Sequence, residues 1–149
     1  MIPSPTFVPT ARRLAACGLV SALTACAASA QTGSCARIEV HHLRPGQGSL
    51  MLAAYGDAAS FLRKTAEAQL KVEVKAETMQ VRLCGLGGDA VALTLFQDLN
   101  DNRQLDLNPF GVPTEPWGAS GRATPMSAPT WESARVPLDG SAIVIALTP

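Results

Sequence analysis

The chain has 149 residues, 47% of them apolar and 16% charged, and its twelve basic residues balance its twelve acidic ones. That length suits one domain, and the apolar content excludes a chain that is disordered by composition. The charge balance shows no basic stripe, which excludes recognition of nucleic acid or anionic lipid by bulk charge.

Residues 1–30 read as an export leader. Arg12 and Arg13 form the positive flank, and Leu14 to Ala25 is an uncharged run rich in Leu and Ala. It suits a signal h-region and is too short for a bilayer, which needs about 20 residues. No later stretch reaches that length, so no transmembrane span is expected. Two processing sites compete. Ala28-Ser29-Ala30 would leave Gln31 as the first mature residue, whereas Leu23-Thr24-Ala25-Cys26 resembles a lipobox, with leader 1–25 and a lipid on Cys26. The first gives a periplasmic or secreted protein, the second an outer-membrane lipoprotein. Residues 31–149 are the expected domain, with a net charge near −2, ten basic residues against twelve acidic, once the two leader arginines are gone.

Strict period-two alternation runs through this domain. Ile38 and Val40 alternate with Arg37, Glu39 and His41, and Leu50, Leu52 and Ala54 with Met51, Ala53 and Tyr55. Then come Leu70 to Lys75, Met79 to Leu83, Val91 to Phe96, Ala134 to Leu138 and Ile143 to Leu147. Pro45 to Gly48, Gly85 to Asp89 and Asp139-Gly140 punctuate them. About seven half-buried strands predict an all-β fold, a single antiparallel β-sandwich with one long Pro/Gly-rich loop. Phe61, Leu62 and Thr65 fall at helical spacing and predict a short helix within 57–68. Gly85-Leu86-Gly87-Gly88 opens no helix, so it reads as a hairpin turn rather than a dinucleotide site.

Four cysteines occur, of which Cys17 and Cys26 lie in the leader. Cys35 and Cys84 remain, and an even pair in an exported protein predicts a disulfide. It closes a loop worth about 4 kcal/mol on the chain-entropy model. Neither belongs to a C-x-x-C pair, so a redox-catalytic role is not expected.

The stretch from Asp98 to about Thr130 holds five prolines and cannot be a central strand. It opens with Asp98-x-Asn100-x-Asn102-x-Gln104-x-Asp106, oxygen donors at alternate positions with Gln104 offering its main-chain carbonyl. This spacing matches positions one, three, five, seven and nine of a Ca²⁺ loop. Arg103 stands where such loops place Gly for its positive φ, a strain of about 1 kcal/mol or more. Pro109 stands where a bidentate Glu is usual, and Glu115 is the nearest carboxylate that could replace it. Affinity would then be on the order of 10⁻⁴ to 10⁻³ M. The alternative is an Asx-rich turn closed by its own side chains. His41 and His42 are strand neighbours pointing to opposite faces and read as surface residues. Phe110 and Trp117 either pin the loop to the sandwich or form a ligand face.

The segment from Phe96 to Ser120, above all the Asp98–Asp106 loop running into Phe110-Gly111-Val112-Pro113-Thr114-Glu115-Pro116-Trp117-Gly118-Ala119-Ser120, resembles the bacterial exported family known as domain of unknown function 2141. The resemblance covers residues 35–149 and implies a transthyretin-like or immunoglobulin-like sandwich outside the cytoplasm. It implies Glu115 as a local ligand or loop anchor, and no established activity. Gln97 stands where the family often has His, and Arg103 where it often has Gly.

No nucleophile–base arrangement, zinc motif or phosphate loop is present. The expected function is therefore a non-catalytic envelope module, Ca²⁺-stabilised, that binds a protein or surface component. The alternative is an enzyme or small-ligand carrier built from Asp98, Asp106, Glu115 and Trp117.

Overall fold

A computed structural model describes residues 33–63, 66–122 and 127–148. All of them belong to one compact unit, Gln31–Pro149. The leader, both processing sites, Cys26 and Thr65 lie outside the described residues.

Among the described residues, eight strands and one helical turn follow in order: β1 (Ser34–His41), β2 (Ser49–Tyr55), β3 (Ala68–Glu73), β4 (Met79–Leu86), β5 (Ala90–Asp98), β6 (Trp117–Ala119), α1 (Trp131–Ala134), β7 (Arg135–Pro137) and β8 (Ala142–Ala146). One sheet has the order β4-β1-β8 and the other β3-β2-β5-β6, with β7 pairing the first residues of β5. The alternation dictates the packing. Ala36, Ile38 and Val40 of β1 and Ile143 and Ile145 of β8 turn inward from one sheet. They meet Leu50, Leu52, Leu93 and Leu95 of the other in a single apolar core. Burying each of these Leu, Ile and Val side chains contributes roughly 1.5–3 kcal/mol.

The sandwich expected from the sequence is thus observed, with three refinements. A strand is added within the Pro-rich stretch: β6 pairs Thr94–Phe96 of β5 through Ala119, Gly118 and Trp117. Three residues suffice because Pro113 and Pro116 precede the strand and no proline interrupts it. One pair is parallel, β8 lying beside β1 with Ile38 opposite Ile143. The turn at Gly85 to Asp89 is not a hairpin, since β4 and β5 belong to different sheets; it carries the chain across the sandwich. Glu67 steadies it by accepting the Gly87 N–H at 2.6 Å.

The predicted helix at 57–68 gives way to turns over 58–63. Asp57 Oδ1 accepts the N–H groups of Ala59 and Ser60 at 2.7 and 2.9 Å, an Asx turn that competes with helix. The Ser60 N–H, then that of Ala59, holds the Asp57 carboxyl below its ordinary 3.8. Leu62 then takes a φ of 55°, which no α-helix admits. The turn drops Phe61 onto the outward face of the five-stranded sheet. There it stacks edge-on against Tyr55 and Trp131, with ring centroids 5.3 and 6.3 Å away.

Cys35 and Cys84 sit directly opposite each other on β1 and β4 and form a disulfide with an S–S distance of 2.09 Å. Both side chains lie on the outward face of their sheet, beside the Arg37–Arg82 pair two register steps on.

Candidate functional site

The last residue of β5 is where the distinctive segment leaves the sheet. Asp98 is 0% exposed, yet its carboxylate is fully partnered. Its Oδ1 accepts the Asn102 N–H at 3.1 Å and its Oδ2 the Arg103 N–H at 2.7 Å. Two further Asx turns continue the pattern: Asn100 Oδ1 accepts the Asn102 N–H at 3.1 Å, and Asn102 Oδ1 the Gln104 N–H at 2.7 Å. These bonds require left-handed backbone, and Asp101 and Arg103 take φ values of 58° and 65°. Asp tolerates that region through local hydrogen bonding, but Arg does not.

Asp106 closes the turn. Its two oxygens accept the side-chain amides of Asn100 and Asn102 at 2.7 and 2.9 Å. Asp98, Asn100, Asn102, Gln104 and Asp106 are therefore brought into one compact loop. Glu115 comes to its base, 4% exposed. Its Oε1 accepts the Leu99 N–H at 2.7 Å and its Oε2 the Asp106 N–H at 3.0 Å. Of the two roles the sequence leaves to Glu115, those hydrogen bonds are an anchor's.

Ser49 and Lys71, which sequence reasoning passed over, and Gln97, which it noted only as a departure from the family pattern, fix the loop to the sheet. Ser49 Oγ donates to Asp101 Oδ1 at 2.8 Å, and Lys71 Nζ pairs with the same oxygen at 3.0 Å. Lys71, followed by Ser49, holds the Asp101 carboxyl below its ordinary value. Gln97, fully buried, donates from Nε2 to the carbonyls of Arg44 and Gln47 at 2.8 and 2.6 Å. Its Oε1 accepts the Arg44 N–H at 2.8 Å, so it welds the β1–β2 turn to the base of the loop. Only strand register brings these groups to the loop, and no local sequence signal announces it.

Beyond Asp106 the chain forms a small finger. Leu107 bridges Pro113, the Asn108 N–H reaches the Val112 carbonyl at 2.8 Å, and Asn108 Oδ1 accepts the N–H groups of Phe110 and Val112. Phe110 at its tip is 90% exposed, flanked by Leu107 at 55% and Val112 at 54%. Phe110 therefore does not pin the loop. Trp117, by contrast, lies in β6, where its carbonyl accepts the N–H of Thr148 at 2.9 Å.

A match to the family described as uncharacterised protein conserved in bacteria, DUF2141, spans residues 38–146. The chain belongs to this family. The DUF2141 span runs from β1 to the last residue of β8 and so contains the loop, its anchor and the finger. No curated protein and no solved structure matches the chain significantly.

The three carboxylates of the alternative reading are turned to hydrogen-bond donors of the loop itself. Asp98 and Glu115 turn their carboxylates to main-chain N–H groups, Asp106 turns its own to two amides, and Trp117 lies on β6. His41 pairs with Glu39 at 2.9 Å, while His42 faces solvent and contacts the Leu147 carbonyl at 3.2 Å.

Proposed function

We propose that this DUF2141 domain is a non-catalytic extracytoplasmic binding module. Its finger, centred on Phe110, docks a protein or surface component of the cell envelope, and Ca²⁺ stiffens the loop beneath. The observation that carries this reading is a phenyl ring 90% exposed at the tip of a segment whose base is buried and hydrogen-bonded throughout. The main chain that carries Phe110 is already fixed by hydrogen bonds to Asn108, so binding need order only the side chain, which is how an anchor gains affinity. The export reading of residues 1–30 and the Cys35–Cys84 disulfide together support an oxidising compartment.

The donor set fits a hard cation. Asp98, Asn100, Asn102 and Asp106 offer side-chain oxygens, and Gln104 its carbonyl. The Asn100 and Asn102 amides already bring partial positive charge to Asp106. An ion would take over that task once the two amides turned their oxygens toward it. Glu115 would then serve behind the loop, not on the ion.

A photo-crosslinking residue in place of Phe110, in the protein expressed in its native host, is expected to trap a discrete envelope partner that a crosslinker at Glu132, on a different surface segment, does not. Phe110→Ser is expected to lose that partner while changing stability by less than about 0.5 kcal/mol. No adduct, or the same adducts from both positions, defeats the docking reading. Calorimetric titration with Ca²⁺, and melting with and without chelator, tests the ion separately; no heat and no shift at millimolar Ca²⁺ removes it.

A further inference from the structure

The outward face of the five-stranded sheet is covered at both ends and open in the middle. Tyr55, Phe61, Ala92 and Ala134 pack over one end. At the other, the Asx loop is tied down through Ser49 and Lys71. Between them, strand register sets Lys71, Met51 and Phe96 in one row across the sheet, and Gln69, Ala53 and Thr94 in the next. The second row is the low one, since Ala53 and Thr94 are short beside Met51, Phe96 and Tyr55. The result is an open groove of about 310 Å³ with a floor of Met51, Ala53, Thr94 and Phe96. Lys71 and Arg103 also line it. That volume lies at the lower end of the range for small-molecule sites.

We infer that this groove binds a small amphipathic carboxylate, an unbranched acyl chain whose carboxylate is taken by Arg103. The inference is independent of the Phe110 finger. Charge decides the head group. Lys71 is committed to Asp101, whereas Arg103 forms no ion pair among the described residues and feels Asp101 only at longer range. Lys71, Asp101 and Arg103 together leave one positive charge at that end of the groove. One positive charge matches a monoanion, and Asp101 disfavours a more highly charged head. A guanidinium presents the planar donor fork that a carboxylate matches with two parallel hydrogen bonds.

The backbone points the same way. Arg103 holds a φ of 65°, a region where glycine is free of strain and arginine is not. The hydrogen bond that shapes the turn uses the Arg103 main-chain N–H, so glycine or any L-residue with an N–H could make it and the side chain is not needed for the turn. The groove is what the side chain adds. The floor then takes the acyl chain, and the apolar rim toward Tyr55 ends it.

The two consequences oppose each other, which makes the test sharp. Arg103→Gly is expected to raise the melting temperature by relieving the backbone and to weaken decanoate binding at least tenfold. Arg103→Lys keeps the charge and should lose less. Ala53→Leu fills the floor and should abolish binding with the fold intact. Calorimetric titration of the purified domain with decanoate, below its micelle concentration, reads affinity. Acetate supplies the head without the chain, and decyltrimethylammonium the chain with the opposite charge; neither should bind. Amide NMR shifts on decanoate addition should centre on Met51, Ala53, Thr94 and Phe96. The inference fails if decanoate does not bind at millimolar concentration, if the cationic analogue binds equally, or if Arg103→Gly binds as tightly as the parent.

Discussion

Glu115 commits both carboxylate oxygens to main-chain N–H groups, one at each side of the loop's neck. A buried carboxylate is costly to desolvate, and charge-assisted hydrogen bonds of this type repay that cost. Replacing it with Ala would leave the Leu99 and Asp106 N–H groups unpaired in a dry site. The expected loss for Glu115→Ala is about 2–4 kcal/mol, with Glu115→Gln losing less because one oxygen still accepts. Urea denaturation followed by tryptophan fluorescence measures both. If Glu115 instead acted chiefly as an ion ligand, both variants would match the parent in chelator and diverge only with Ca²⁺ present. Gln97 works by the same logic without a charge, satisfying two carbonyls and one N–H of the β1–β2 turn. Its neutral amide is suited to that mixed set, since a carboxylate could accept the N–H and would repel both carbonyls.

The elements show which parts of the fold a sequence carries. Seven strands were legible because each has an apolar inner face, and period-two alternation records that burial directly. β6 was not, because its three residues have no room for a pattern and its pairing with β5 is set by what precedes it. Glu115 and Pro116 are buried, and the Gln97 N–H donates to the Pro116 carbonyl at 2.8 Å, so the chain enters β6 already in register. Residues 57–63 failed as a helix for a local reason, the Asp57 turn, that apolar spacing does not see. The distinctive motif was legible as a unit, and most of it proves to be architecture. Gly111 supplies a φ of 78°, Pro113 bridges Leu107, Glu115 anchors, and Ser120 accepts the buried Leu93 N–H at 2.8 Å. Phe110 gives the finger only its main-chain N–H and leaves its side chain in water, which is what motivates the docking proposal. The β1–β2 turn yields a prediction at this scale. Gly48 has a φ of 55°, and a Cβ there would run into the Asp98 carbonyl, a main-chain atom that cannot step aside. Gly48→Ala is expected to cost at least about 3 kcal/mol, combining backbone strain with a rigid clash. Because that clash falls at the start of the Asx loop, hydrogen exchange should rise first at Asn102 and Arg103. A loss spread evenly over the sandwich would count against this coupling.

At the scale of the whole molecule, one covalent link bears on the stability of both sheets. The Cys35–Cys84 bridge joins adjacent strands of the three-stranded sheet, so it adds little to a pairing that main-chain bonds already make. Its effect must lie in the unfolded chain, where it closes a loop across a sequence separation of 49. That loop contains β2 and β3, both in the other sheet, so the bridge constrains the segments that must assemble into opposite layers. The chain-entropy account gives about 4 kcal/mol for a loop of this size. Cys35→Ser with Cys84→Ser should therefore lower stability by about 3–4 kcal/mol while leaving the β-sheet circular dichroism of the folded state unchanged. The loss should appear mainly in the folding rate if the bridge acts on the unfolded chain, and in the unfolding rate if it holds the native sheet together. Stopped-flow refolding of the oxidised protein against the double variant separates the two. An unfolding rate that rises by the full amount would show that the native strands depend on the bridge, contrary to the register in which they already pair.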